Sequence, residues 1–500
     1  MEHMDVVIIG AGLSGIGAAV HLQNLCPDKT YAVLESRHAL GGTWDLFRYP
    51  GVRSDSDMHT LGYDFKPWRA EKAIADGPAI REYMNEAADE HKVREHIRYH
   101  HALKSADWST EDARWTLTIE RKDHGGTEQI SCNFLSMCGG YYNYDQAYQP
   151  EFKGIEDFKG KIIHPQFWPE NLDYTGCRIA VIGSGATAMT LVPAMAKDAA
   201  HISMVQRSPT YVVSRPAKDW IANTLRKILP DSLAYSITRF KNVQMQRFVY
   251  WRSRTAPQKI KDQLLGEVRD ALGPDYDIET NFTPSYNPWD ERLCLVPDGD
   301  LFEAINSGKA SIVTGHIDCF TQSGLRLESG EEIEADIIVT ATGLELKVLS
   351  GVSLSVDGEL VNLPETYTYK GMMCSGVPNL VQTFGYVNAS WTLRADLTAE
   401  FVCKLLNQMD ELGMQQCTPQ LLDQDQSMAK RPWIDDFSPG YMKRMMHLFP
   451  MQGDKAPWIN TQNYTLDKKM IRHAPLEDGS LVFSHPKNSD SPHVITSEAS

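Results

Sequence analysis

The stretch Asp5-Val6-Val7-Ile8-Ile9-Gly10-Ala11-Gly12-Leu13-Ser14-Gly15 decides the fold. Its four consecutive apolar residues read as a strand buried on both faces, and the helical pattern Ile16 to Leu25 follows directly. Between them G-x-G-x-x-G sits where a dinucleotide-binding turn needs it. The first glycine makes the tight turn, the second lets backbone approach a pyrophosphate, and the third packs helix on strand. Alone the pattern is weak, because a tight turn in any α/β protein reads the same way. A second strand, Tyr31 to Leu34, ends at Glu35, 25 residues beyond Gly10. A carboxylate there accepts hydrogen bonds from both hydroxyls of an adenosine ribose. Strand, turn, helix and terminal acid together favour the dinucleotide reading.

The plan recurs. Short alternating runs, Trp115 to Arg121 and Gln129 to Met137 around the hairpin His124-Gly125-Gly126, read as a β-meander closing on Cys138-Gly139-Gly140. A new strand, Arg178 to Ile182, then leads into Gly183-Ser184-Gly185-Ala186-Thr187-Ala188 and a helix, with Ala188 an accepted variant of the third glycine. The strand Ile202 to Gln206 ends at Arg207-Ser208, and a second meander, Ile317 to Thr340 with its hairpin at Ser323-Gly324, closes on Ala341-Thr342-Gly343. Arg207 is read as a 2′-phosphate ligand rather than a solvated surface arginine, since a guanidinium grips phosphate bidentately where an acid suits free hydroxyls. The first copy is therefore expected to hold FAD and the second NADPH.

The fold class is α/β: two Rossmann-like dinucleotide-binding domains with β-meanders and a helical insertion. Residues 1–145 form the first part of the FAD domain and 146–340 the NADPH domain, with the insertion over 214–290. Residues 341–500 complete the FAD domain through Pro378-Asn379-Leu380 and the helix Asp396 to Met409, and end in a tail that frays beyond His485. The insertion has helical spacing at Trp220-Ile221-Leu225-Ile228-Leu229 and around Phe240 to Trp251. It carries Arg226, Lys227, Arg239, Lys241, Arg247, Arg252, Arg254, Lys259 and Lys261. A lid with a solvated face is the first reading, and peripheral membrane contact the second.

A chain of 500 residues exceeds a single core, and a net charge of −16 with 42% apolar residues describes an acidic globular protein rather than a nucleic-acid binder. Nine cysteines without C-x-x-C or C-x4-C give no disulfide framework, zinc site or disulfide-reductase redox pair, and they suit a reducing cytoplasm. No run of 18 apolar residues indicates a transmembrane helix, and no metal site is expected.

Two further stretches carry chemistry. Gly41-Gly42-Thr43-Trp44-Asp45-Leu46-Phe47-Arg48-Tyr49-Pro50-Gly51-Val52-Arg53-Ser54-Asp55 has the pattern G-G-x-W-x-x-x-x-Y-P-G-x-x-x-D, of which Tyr49-Pro50-Gly51 alone is only a turn. Phe158, Gly160, His164, Trp168 and Pro169 give F-x-G-x-x-x-H-x-x-x-W-P between the two glycine-rich turns. Both patterns resemble those of the Baeyer-Villiger monooxygenases, class B flavoprotein monooxygenases. The similarity runs from Asp5 to about Tyr464. Segments such as YPGVRSDSDMHTLGY, QRSPTYVVS and GYVNASWTLRADL are most like the ethionamide-activating branch.

The resemblance implies conversion of ketones to esters with NADPH and O2 through a peroxyflavin, with oxidation of thioethers and thioamides as well. Partners would be a small ketone or sulfide and O2, on a protein expected to be monomeric. A flavin-dependent N- or S-monooxygenase is the alternative; it shares the nucleotide sites but normally lacks the Trp-Pro and the Asp/Arg pair. By resemblance, Arg292 in Asn287-Pro288-Trp289-Asp290-Glu291-Arg292 reaches over the flavin and Asp55 orients it, which makes these two the catalytic pair. Glu291 stands where the cyclohexanone and phenylacetone branches typically carry Lys, which weakens the expected preference for NADPH over NADH. FAD would be held by Gly10, Gly12, Gly15, Glu35, Gly42, Thr43, Trp44 and Asp55, and NADPH by Gly183, Gly185, Ala186, Thr187, Arg207 and Ser208. Asn388 and Trp391 are candidate substrate neighbours, although an aromatic at a helix start is as often core. His164 alone reads as a satisfied core histidine; in this setting it is expected to serve the hinge through hydrogen bonding rather than acid-base catalysis.

Overall fold

The computed structural model describes residues 1–291, 293–435 and 439–486. Arg292 and the tail from 487 lie outside the described residues. Two sheets organise the chain. In the first, Glu2–Ile9 runs parallel to Tyr31–Leu34 on one side and to Thr127–Met137 on the other. The antiparallel strands His101–Ser109 and Arg114–Arg121 extend it outward from Thr127–Met137. Val6, Val7 and Ile8 are at most 1% exposed, as a strand covered on both faces requires. Each such side chain contributes ~1.5–3 kcal/mol.

Chain from the C-terminal part completes this sheet. Leu380–Gln382 pairs with Thr127–Met137, and Ser353–Val356 pairs with His101–Ser109. The helix Trp391–Leu412, longer at both ends than the sequence pattern indicates, packs along the first helix, Leu13–Leu25.

The second sheet is all parallel, in the order Ala310–Thr314, His201–Gln206, Arg178–Ile182, Ile337–Thr340, Lys161–Ile163. Its meander, Ile317–Thr321, Gly324–Leu327 and Glu332–Glu334, pairs as a separate three-stranded antiparallel sheet. The two halves are joined twice, by Tyr142–Ala147 and by Leu344–Leu346, and these crossing strands pair antiparallel with each other.

The insertion consists of the helices Trp220–Ile228, Asp231–Thr255, Pro257–Leu272 and Ile278–Phe282. Its expected polar outer face is corrected by the structure. Leu233, Ile237, Phe240, Phe248 and Trp251 of the long helix Asp231–Thr255 are exposed, while its polar residues Tyr235, Arg239, Asn242 and Gln246 turn toward the protein. The polar side is needed inside, because it satisfies the ends of the short helix Met58–Leu61 that follows the second motif. Asn242 and Gln246 donate to Asp57, the N-cap of that helix, at 2.8 and 3.2 Å, and Arg239 donates to the carbonyls of His59 and Gly62 at 3.0 and 2.7 Å.

Candidate active site

Both glycine-rich turns are built alike. In the first, the Gly10 N–H donates to Leu34 O at 2.7 Å and its φ of +99° carries the chain from strand to helix; a Cβ there would stand 2.9 Å from Cys138 O. In the second, the Gly183 N–H donates to Val205 O at 2.8 Å, φ is +133°, and a Cβ would stand 2.3 Å from Ala341 O. In each half, then, the turn is pressed against the end of its own meander. The backbone at Gly185 has open space where a Cβ would project, which leaves room for a pyrophosphate.

The strand-end residues differ as the sequence indicates. Glu35 is buried, with Oε2 accepting from the Ala11 N–H at 2.8 Å and Oε1 from the Arg37 N–H at 2.9 Å, so the carboxylate is fixed over the first turn. Arg207 and Ser208 are exposed at the end of His201–Gln206, and Ser208 O accepts from Ser184 Oγ in the second turn at 3.0 Å. Gly42 lies against Gly12, where a Cβ on Gly42 would stand 3.1 Å from the Gly12 Cα. These features fit dinucleotides: glycine-lined backbone, a fixed acid in one half and an exposed guanidinium in the other.

The second motif joins the halves. Trp44 packs against the cores of both, and Phe47, Tyr49 and Val52 are buried in the core of the second half. Gly51 meets the helix Ala186–Met195 so closely that a Cβ would stand 2.4 Å from Thr190 O. Arg53 pairs with Asp300 at the start of the helix Asp300–Asn306. Tyr49 lies beside Thr190 and Thr187, and its burial raises the phenol above its ordinary pKa and keeps it neutral. Asp45, 2% exposed, ties the motif together by pairing with Arg37 at 2.9 Å, with Arg48 and with Arg81. Asp55, the last residue of the motif, is exposed and lies within the electrostatic reach of Tyr49.

The fingerprint lies beneath the crossing strands. Gln166 Nε2 donates to Asn143 O and Tyr144 O at 2.9 and 3.1 Å, on the first crossing. His164 Nε2 is 3.3 Å from Gly343 O, at the start of the second crossing, and the Gln166 N–H meets His164 Nδ1 at 3.2 Å. Those partners fix the neutral tautomer with its proton on Nε2, in keeping with burial that lowers the pKa of the ring. Phe158 is buried against Ala180, Ile182 and Phe320, and Trp168 packs on the core of the second half, while Pro169 is exposed.

Trp391 starts its helix against the first turn: its Nε1–H donates to Ser14 Oγ at 2.7 Å, and its ring stacks on Tyr141 at 5.5 Å. The side-chain amide of Asn388 donates to Gln462 O at 3.0 Å. Sequence reasoning missed Tyr144, whose hydroxyl lies 3.1 Å from Thr43 Oγ1 and whose pKa burial pushes up to about 12. It also missed Arg239 and Asp396, paired at 3.1 Å across the two halves. A register count from each glycine turn finds Glu35 and Arg207, but no spacing rule links positions 239 and 396.

The NAD(P)-binding Rossmann-like domain family matches residues 8–71, and the flavin-binding monooxygenase-like family matches residues 73–348. The FAD-containing monooxygenase EthA of Mycolicibacterium smegmatis is 52% identical over 484 residues, covering 97% of each chain. Among solved structures, an oxidized steroid monooxygenase bound to NADP superimposes with a TM-score of 0.70 at 22% identity over 83% of this chain and 88% of that one. An ε-caprolactone-bound cyclohexanone monooxygenase gives 0.70 at 21% over 84% and 90%. The two glycine turns, the acid over one and the motif that binds the halves together thus occur in a chain that resembles flavin monooxygenases along nearly its whole length. The chain belongs to the flavin-binding monooxygenase-like family and is a flavin-dependent monooxygenase.

Proposed function

We propose that the protein is a Baeyer-Villiger monooxygenase that converts a ketone, O2, NADPH and a proton into an ester, NADP+ and water, and that also oxidises thioethers and thioamides. The observation that carries this reading is the second motif: its Gly42 end lines the first dinucleotide turn while its Tyr49-Pro50-Gly51 is seated on the helix of the second. A reaction that passes reducing equivalents from one dinucleotide to the other needs the two turns held in one geometry.

Gly10, Gly12, Gly15, Glu35, Gly42, Thr43, Trp44 and Asp55 would hold FAD, and Gly183, Gly185, Ala186, Thr187, Arg207 and Ser208 would hold NADPH. When bound, the pair supplies hydride transfer and oxygen activation. Arg292, assigned on the sequence resemblance alone, keeps a guanidinium that never deprotonates where negative charge develops on oxygen, and Asp55 orients it. Neutral His164 braces the crossing strands and takes no proton from substrate. Trp391 and Asn388 would stand near the substrate. The domain division is read at residues 145 and 340. The nine cysteines, seven of them buried, suit the reducing cytoplasm, and the protein is read as a monomer.

The test incubates the yellow holoenzyme with NADPH, O2 and a phenyl ketone, with mass detection of a product heavier by one oxygen atom. Ester formation, lost in Arg292→Ala while flavin reduction by NADPH persists, is expected. NADPH consumption that yields only hydrogen peroxide, or only N- or S-oxides from amines and sulfides, would overturn the ketone reading.

A further inference from the structure

The long insertion helix Asp231–Thr255 is amphipathic with its faces reversed. At 100° per residue, Leu233, Ile237, Phe240, Gln244, Phe248 and Trp251 fall within about 80° of one another, and Tyr235, Arg239, Asn242 and Gln246 cluster about 170° away. The polar cluster faces the protein, as its bonds to Tyr63 O, His59 O, Gly62 O and Asp57 show. The apolar stripe faces out: Phe240 is 67% exposed, Phe248 56% and Trp251 54%. The adjoining helix Trp220–Ile228 adds exposed Trp220 and Ile228. A monomer in water gains nothing from so continuous an apolar ridge.

Charge identifies what covers it. Residues 214–265 hold eleven Lys/Arg against three Asp/Glu, a net of +8, inside a chain of −16, so the remainder carries −24. Within the long helix the only acid is Asp231, at its first turn. Arg239 is paired inward with Asp396, Lys241 with Asp219 and Arg254 with Asp290. Arg247 stays exposed beside the apolar stripe, Lys227 is exposed next to Ile228 on the adjoining helix, and the Arg252 guanidinium stands 5.8 Å from the ring centre of Trp251. Outward aromatic and aliphatic residues flanked by basic groups match the boundary between headgroups and acyl chains of an anionic bilayer. Among the described residues no helix is long and apolar enough to cross a membrane, so the element lies on the surface rather than spanning it.

We propose that Trp220–Thr255 docks this enzyme on an anionic phospholipid surface, with Phe240, Phe248 and Trp251 in the acyl boundary and Lys227 and Arg247 on lipid phosphates. The inner face of the same helix grips the short helix Met58–Leu61 after the second motif, so docking would hold that motif beside the lipid from which an apolar substrate would enter.

The test is co-sedimentation of holoenzyme with vesicles of phosphatidylcholine alone or with added phosphatidylglycerol, alongside sedimentation velocity without lipid. The wild type is expected to pellet with the anionic vesicles at low salt and to be released at high salt. The triple variant Phe240→Ser, Phe248→Ser, Trp251→Ser should lower vesicle partition about tenfold or more, and Lys227→Glu with Arg247→Glu severalfold. Both should keep the FAD content and NADPH oxidation of the wild type in lipid-free buffer. If the triple variant loses FAD, Trp251→Ser alone carries the prediction with a severalfold drop. Wild type that stays in the supernatant, or variants that pellet like wild type, overturn the proposal. So does a wild-type dimer that the triple variant converts to monomer, because a second copy would then cover the face.

Discussion

Gly51→Ala tests whether the second motif must seat on the second dinucleotide half. The new Cβ would stand 2.4 Å from Thr190 O and 2.6 Å from the Ala194 Cβ, on a backbone with φ of +78°. The left-handed conformation costs an alanine ~1–2 kcal/mol, and forcing a methyl into a packed contact costs ~1–3 kcal/mol more. The motif can instead withdraw, which exposes Tyr49 and Val52 at ~1.5–3 kcal/mol each. The two costs are comparable, so the seated population is expected to fall. A shift of ~2 kcal/mol lowers the ratio of seated to withdrawn motif about 30-fold. The assay is anaerobic stopped-flow reduction of the bound flavin by NADPH, with FAD content and Tm measured in parallel. Gly125→Ala is the control: Gly125 has φ of +71° with nothing within 4 Å of a Cβ, so it bears the conformational cost without the clash. Reduction slowed ~10- to 100-fold in Gly51→Ala, with FAD retained and Gly125→Ala near wild type, is expected. Equal reduction rates in the two variants would refute the reasoning.

Three other outcomes are expected. His164 needs a neutral ring to accept from the Gln166 N–H and donate to Gly343 O, and burial holds its folded pKa below the ordinary 6.5. Its stabilising contribution is therefore complete above about 6.5 and lost as pH falls through the folded value. Hydrogen peroxide released per NADPH should rise on acidification below that point, and the rise should be flat in His164→Gln; identical profiles would remove the histidine from the brace. Burial raises the Glu291 carboxyl above its ordinary pKa, and Lys443 and Arg207 act on it electrostatically. Glu291→Lys should raise the NADPH-to-NADH ratio of kcat/KM about tenfold, since reversing a charge beside a phosphate is worth ~1–2 kcal/mol; an unchanged ratio would place the 2′-phosphate elsewhere. Arg239→Met leaves Asp396 buried without its guanidinium, at a cost of ~3–5 kcal/mol. Tm should fall by several degrees, and an unchanged Tm would mean that the pair does not tie the insertion to the first half.

The sequence by itself determined the two dinucleotide units and the register of their strand-end residues. Strand, turn and helix are local, and Glu35 and Arg207 are reached by counting from each first glycine. It also marked both motifs, because their glycines, prolines and aromatics stand at fixed short spacings. Tertiary structure alone decided what those motifs touch. Tyr49 and Gly51 lie far in sequence from Thr190, and His164 from Gly343, so each contact depends on how the two halves close. The insertion was misread for the same reason. Periodicity shows that a helix has two faces but not which one meets the protein, and here the ends of Met58–Leu61 claimed the polar face and left the apolar one outside.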